Sequence, residues 1–210
     1  VIDPQTLLPK AIAIAILLLV AFPVHEFSHA WAANLQGDAT ARLFGRMTLN
    51  PAVHFDPLGG AMTVISVLLG GLLIGWAKPT PVNTANLRDR RNGEVIVSLA
   101  GPVSNLAMAV AGAAVYRILV AIPSALPVEI YLAAYYFVLF NVMLAIFNLL
   151  PIPPLDGSAI LFRFLSPRQV WQIRPVLAQY GIFILLAIVL LLGRPISTLI
   201  GGVARGLVGA

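Results

Sequence analysis

His25-Glu26-Phe27-Ser28-His29 is the stretch from which the whole chain is read. It spells H-E-x-x-H and lies inside an apolar run, not on a half-solvated helix. Positions i and i+4 of a helix share a face, so both imidazoles can point at one metal ion. Glu26 stands beside them, placed to act on a water there. With three His and three Glu in the chain, chance produces this pattern on the order of once in a few thousand shufflings. The bland alternative is a pair of satisfied core histidines with Glu26 as their partner. It would leave three expensive polar side chains in lipid without a use.

The 210 residues are 60% hydrophobic and 10% charged, with a mean hydropathy of +0.94. That is a membrane composition. There is no cysteine, which excludes disulfides, thiolate metal sites and cysteine nucleophiles. The net charge of +5 calls for no nucleic-acid partner, because Lys and Arg in membrane proteins are usually loop residues that set topology. The first apolar run carries the H-E-x-x-H stretch, so it reads as retained and not as a cleaved leader. The chain reads as one membrane-embedded domain over residues 1–210, with a core at 10–165 and a last helix and tail at 166–210.

Leu7 to Leu35 reads as one long helix, kinked at Pro23. Arg42 to Asn50 alternates well enough for a short β-strand or hairpin arm near the site, either a capped surface loop or an edge that pairs with an extended substrate. Leu58 to Trp76 is apolar but interrupted by Gly70 and Gly71. Glu94 to Val120, Glu129 to Leu150 and Trp171 to Leu192 read as further spans, and Arg194 to Ala210 as a small-residue tail. The expected fold is an all-α polytopic membrane protein with four to five transmembrane helices plus a re-entrant or shallow segment.

A catalytic zinc usually has three protein ligands and one open position. His54, Asp56, Glu129 and Asp156 are candidates for the third. Asp156 is favoured, because Pro151, Pro153 and Pro154 break the backbone ahead of it and aim its carboxylate sideways. Its competing role is the N-cap of the next helix. His54 remains a gate, a supporting partner, a surface residue or a replacement ligand. For Asp156 to reach His25 and His29, Leu58 to Trp76 must turn back near Gly70-Gly71. That topology puts nine Lys and Arg on the metal side against four on the other, which places the metal nearer the cytoplasm.

Three motifs together carry a family resemblance: His25 to His29, Gly101-Pro102-Val103-Ser104-Asn105, and Asn148 through Gly157. The chain resembles the site-2 protease family of intramembrane zinc metalloproteases over about residues 10–165. Gly45 to Pro51 and His54 to Gly59 are similar to a compact prokaryotic subgroup without a PDZ insertion. The resemblance implies His25, His29 and Asp156 as ligands of one Zn2+, with Glu26 as catalytic acid/base. It implies that Asn148 holds the scissile strand or the developing oxyanion. Asn105 is read first as an interhelical hydrogen-bonding residue; with His54, Thr48 and Pro151 it completes the candidates for substrate binding or gating. The resemblance implies a multi-pass protein of a bacterial or archaeal cell membrane that cleaves membrane-spanning proteins, with a homodimer as one candidate assembly. The rival reading is an inactive relative, or a metal-ion transporter or scaffold, which has no need of Glu26 as a base.

Overall fold

Pro23 sets the shape of the first membrane helix. It has no N–H, so the carbonyl four residues earlier loses its helical partner. The structure, a computed structural model, describes residues 4–68, 75–122 and 126–209. Helices α1 (Pro4–Ile16) and α2 (Phe22–Leu35) are joined by a π-helical turn, Leu17–Ala21, in which the Phe22 N–H donates to the Leu17 carbonyl. The expected kink is thus a slip of the hydrogen-bond ladder just ahead of the proline. It re-aims the turn that follows, and that turn carries His25 and His29.

Short helices α3 (Thr40–Leu43), α4 (Pro51–His54) and α5 (Pro57–Leu68) precede α6 (Arg90–Ala121), α7 (Val128–Asn148), α8 (Gly157–Phe164) and α9 (Pro167–Val208). Leu8–Leu35, α6, α7 and α9 are each long and apolar enough to cross a membrane. The protein is therefore a multi-pass, helical membrane protein. α6 packs along α2 and α7, while α1 and α9 also lie against α7. Small residues let these helices approach closely. Ala13, Ala21, Ala109, Ala113 and Ala204 are buried in one core with Leu17, Val138, Val142 and Ile200. The segment expected as a tail after Arg194 instead continues α9, and Ile200, Ala204 and Val208 pack into that core.

The expected strand at Arg42 to Asn50 is not formed, and no strand occurs among the described residues. Asp38 accepts from the Thr40 N–H and opens α3, Gly45 turns at φ 68°, and Asn50 caps α4 by accepting from the Ala52 N–H. These local bonds offer the backbone an alternative to extension. Arg46, a member of the alternating run, is buried and donates to the carbonyls of Val53, Lys78 and Pro79.

The two described ends of the Leu58 to Trp76 segment lie side by side. Among the described residues α5 has 12 residues, about 18 Å of helix. Trp76 lies back beside its start: a Cβ built on Gly59 would meet the Trp76 carbonyl oxygen at 2.0 Å. The Lys78 N–H donates to the His54 carbonyl at 2.8 Å. The expected turn at Gly70-Gly71 lies outside the described residues.

Asp38 ties this region together. Its buried carboxylate accepts from the Thr40 N–H and hydroxyl, the Asn83 N–H at 2.7 Å and the Asn86 amide at 3.0 Å. Burial works against its ionisation, but the bonds from Thr40, Asn86 and Asn83 hold its carboxyl below the ordinary 3.8. A carboxylate depressed on folding stabilises fully above its unfolded value and loses that contribution as pH falls through the folded one. Thermal unfolding followed from neutral pH down to about 3 should therefore show an acid loss of stability. Asp38→Asn should be less stable at neutral pH and show a flatter acid limb.

Candidate metal centre

His25 and His29 enter the bundle from α2 and meet α6 at its closest approach. A Cβ on Gly101 would lie 2.5 Å from His25 Cε1 and 2.4 Å from His29 Nε2, so only glycine leaves room there. Each ring is fixed through its other nitrogen. His25 Nδ1–H donates to Asn105 Oδ1 at 2.6 Å, and His29 Nδ1–H donates to the Val97 carbonyl at 2.7 Å. The Asn105 amide N–H donates to Asn141 Oδ1 at 3.0 Å, and Asn141 donates to the Phe137 carbonyl at 2.9 Å. This relay sets which end of Asn105 faces the histidine.

With both Nδ1 atoms protonated, a neutral ring has only a lone pair at Nε2. The two Nε2 atoms nevertheless face each other at 3.0 Å. Asp156 stands at the N-cap position of α8 but caps nothing with its side chain. Its oxygens lie 3.4 Å from each histidine Nε2, and its buried Oδ2 has no hydrogen-bond partner. With both rings neutral, these three facing acceptors are mutually repulsive. One cation removes the conflict. Ligand atoms about 2.0–2.1 Å from a tetrahedral zinc sit about 3.3 Å apart, and these three are spaced at 3.0 and 3.4 Å. The donor set fits the ion.

The sequence profile of peptidase family M50 matches residues 12–132 and 124–192. The chain belongs to peptidase family M50. The M50 chain is 40% identical over 173 residues to "Putative zinc metalloprotease YwhC" of Bacillus subtilis (strain 168), an alignment that covers 78% of this chain and 73% of that protein. It is 31% identical over 173 residues to "Putative zinc metalloprotease Rip2" of Mycobacterium tuberculosis (strain ATCC 25618 / H37Rv), covering 82% of this chain and 64% of that one. The homologue of the same name from Mycolicibacterium smegmatis (strain ATCC 700084 / mc(2)155) is also 31% identical, with 64% of its length covered. No solved structure matches the chain significantly. As an M50 member carrying this donor set, it is a metalloendopeptidase.

The M50 centre opens on a cleft of about 520 Å³ lined by Glu26, Trp76, Thr80, Leu144, Asn148 and Pro154 among others. Glu26 is 8% exposed. Its Oε2 accepts from the Thr80 N–H at 2.8 Å and the Thr80 hydroxyl at 2.7 Å, and no bond is made to Oε1 among the described residues. Asn148 lines the cleft and donates one amide N–H to the Leu144 carbonyl at 3.0 Å. The second N–H is left for another acceptor.

Other expected residues fall outside this cleft. His54 is 1% exposed and donates through Nε2 to the Thr48 carbonyl at 2.7 Å. It braces the loop through the Thr48 carbonyl, and the ligand atoms that converge are those of His25, His29 and Asp156. Asp56 accepts from the Gly59 N–H at the start of α5. Pro151 is exposed, and Pro154 lines the cleft in its stead. Asn105 is wholly buried behind His25 and outside the cleft lining, where it holds the histidine ring. The loop carrying Asp156 is braced from outside: a Cβ on Gly181 of α9 would lie 2.1 Å from the Pro153 carbonyl oxygen. Sequence reasoning missed Thr80 and Asn141. For Thr80 the signal is the proline-flanked polar run Lys78-Pro79-Thr80-Pro81 that follows the apolar segment.

Removing a partner that orients a metal-bound histidine typically costs about 10–100-fold in affinity. Asn105→Leu should weaken metal binding by about that factor, measured by competition with a chromogenic chelator, while the helical circular dichroism is kept.

Proposed function

We propose that the chain is an intramembrane zinc metalloprotease that hydrolyses peptide bonds within or beside membrane-spanning segments of other proteins. The observation that carries this reading is the His25–His29–Asp156 donor set opening, with Glu26, on a cleft at the ends of spanning helices. His25, His29 and Asp156 would hold one Zn2+. When bound, zinc would supply Lewis-acid polarisation of a carbonyl and acidification of a water.

Glu26 acts as the general base and acid. Thr80 occupies Oε2, which leaves Oε1 to take a proton from the attacking water and return it to the leaving amine nitrogen. Asn148 offers its second N–H to the carbonyl oxygen of the bond being cut. The substrate helix must unwind before any carbonyl reaches this cleft, because its carbonyls are otherwise tied up in its own ladder. A protein that only carried the metal would have no use for a carboxylate held beside the ligands by two bonds from one threonine.

The distribution of basic residues supports a cytoplasmic position for the metal end, although Arg46 counts as a buried brace more than as a topology signal.

The first test pairs wild type with Glu26→Gln, purified in detergent and incubated with tagged single-span helices. Both should hold about one zinc, as a three-ligand site does. Only the wild type should cleave inside the apolar span, with the variant slower by about 10²–10⁴-fold. Cleavage by the variant at the wild-type rate would overturn the role of Glu26. Thr80→Val removes one hydrogen bond to a charged group, which is worth about 10–100-fold. It should lower kcat by about that factor with KM and zinc content unchanged, and Thr80→Ser should restore the rate.

A further inference from the structure

A second cavity, of about 580 Å³, lies beside the metal cleft between the starts of α6 and α9 and the helix α8. Four guanidinium groups, from Arg90, Arg91, Arg163 and Arg174, line it against the single carboxylate of Glu94, a surplus of three positive charges. We infer that this cavity binds the headgroup of an anionic phospholipid.

Three of the four guanidinium groups, those of Arg91, Arg163 and Arg174, are set in place before any ligand arrives. Arg91 donates to the carbonyls of Arg163 and Leu165, the latter at 2.7 Å. Arg163 Nε donates to Asn92 Oδ1 at 2.7 Å. Arg174 pairs with Glu94 at 2.7 Å and stacks over the Phe162 ring at 4.6 Å. Each of these bonds uses only part of the five-donor fork of an arginine, and the remaining N–H groups are available to phosphate oxygens. Arg90 has no hydrogen-bond or ion-pair partner among the described residues.

The rest of the lining explains why the ligand is a lipid. Ala159 and Phe162 are buried apolar side chains in the wall, and Trp171 stands 79% exposed at the rim. One turn beyond Ala178 of the lining, α9 exposes Ile182, apolar surface for an acyl chain. A free anion would have no use for this apolar continuation. Basic pockets between membrane helices bind anionic headgroups by this combination of charge and interfacial depth. Arginines that serve topology alone need not converge on one cavity.

The inference is independent of proteolysis and is tested by binding. The full chain is titrated in detergent with phosphatidylglycerol or phosphatidylcholine and followed by native mass spectrometry. Wild type should retain one phosphatidylglycerol per chain in preference to phosphatidylcholine. Arg90→Gln, which breaks no bond among the described residues, should reduce that preference roughly fivefold, and Arg90→Gln with Arg163→Gln roughly twentyfold. Metal content and thermal midpoint report whether each variant is folded. Equal retention of both lipids by wild type, or an unchanged preference in the folded single variant, would overturn the inference. So would complete displacement of phosphatidylglycerol by millimolar inorganic phosphate, which would identify a site for the free anion.

Discussion

Two imidazole nitrogens facing each other at 3.0 Å, with a carboxylate closing the triangle, are the constraint on which this architecture rests. In apolar surroundings such an arrangement is costly unless a cation completes it. The fold commits several features to keeping it. A glycine on α6 leaves room for the rings, and a relay of two buried asparagines runs from α7 through α6 to His25. A carbonyl of α6 fixes His29. The densest helix contacts, between α6 and its neighbours α2 and α7, are those that this relay crosses.

The same economy governs the irregular backbone. Unpaired peptide groups at membrane depth persist only where they are buried in protein or line a polar cavity. Residues 75–80 and the loop after α7 both meet this condition at the metal cleft. The first presents Thr80 to Glu26 and is held from behind by Arg46, which takes up the carbonyls of Lys78 and Pro79. The second presents Asp156. Neither segment could be helical and still place its side chain there.

Periodicity and motif spacing make the spanning helices and the metal donors legible because both are local signals. A long apolar run reads as a span, H-E-x-x-H puts two rings on one helix face, and three prolines before Asp156 mark a broken backbone. What stayed hidden depends on residues far apart in sequence. Thr80 meets Glu26 across 54 positions, and Asn141 meets Asn105 across 36. Arg46 reads in sequence as one more topology charge, yet it is buried against carbonyls it could not be seen to reach. The Arg42 to Asn50 alternation misleads for a related reason: an alternating pattern makes a strand only when a partner strand is present, and here Asp38, Gly45 and Asn50 satisfy the backbone locally.

α9 gives the molecule a mechanical property. Its 42 residues make about 63 Å of helix, roughly twice the hydrocarbon thickness of a bilayer, and most of its spanning surface is bare of protein. A helix longer than its bilayer responds to thickness by tilting. This one rests against the Pro153 carbonyl at Gly181 with no side chain between them, three residues from the carboxylate that closes the metal triangle. Among the described residues α9 is therefore the one helix that faces lipid along most of its spanning window and also touches, at Gly181, the loop that carries Asp156.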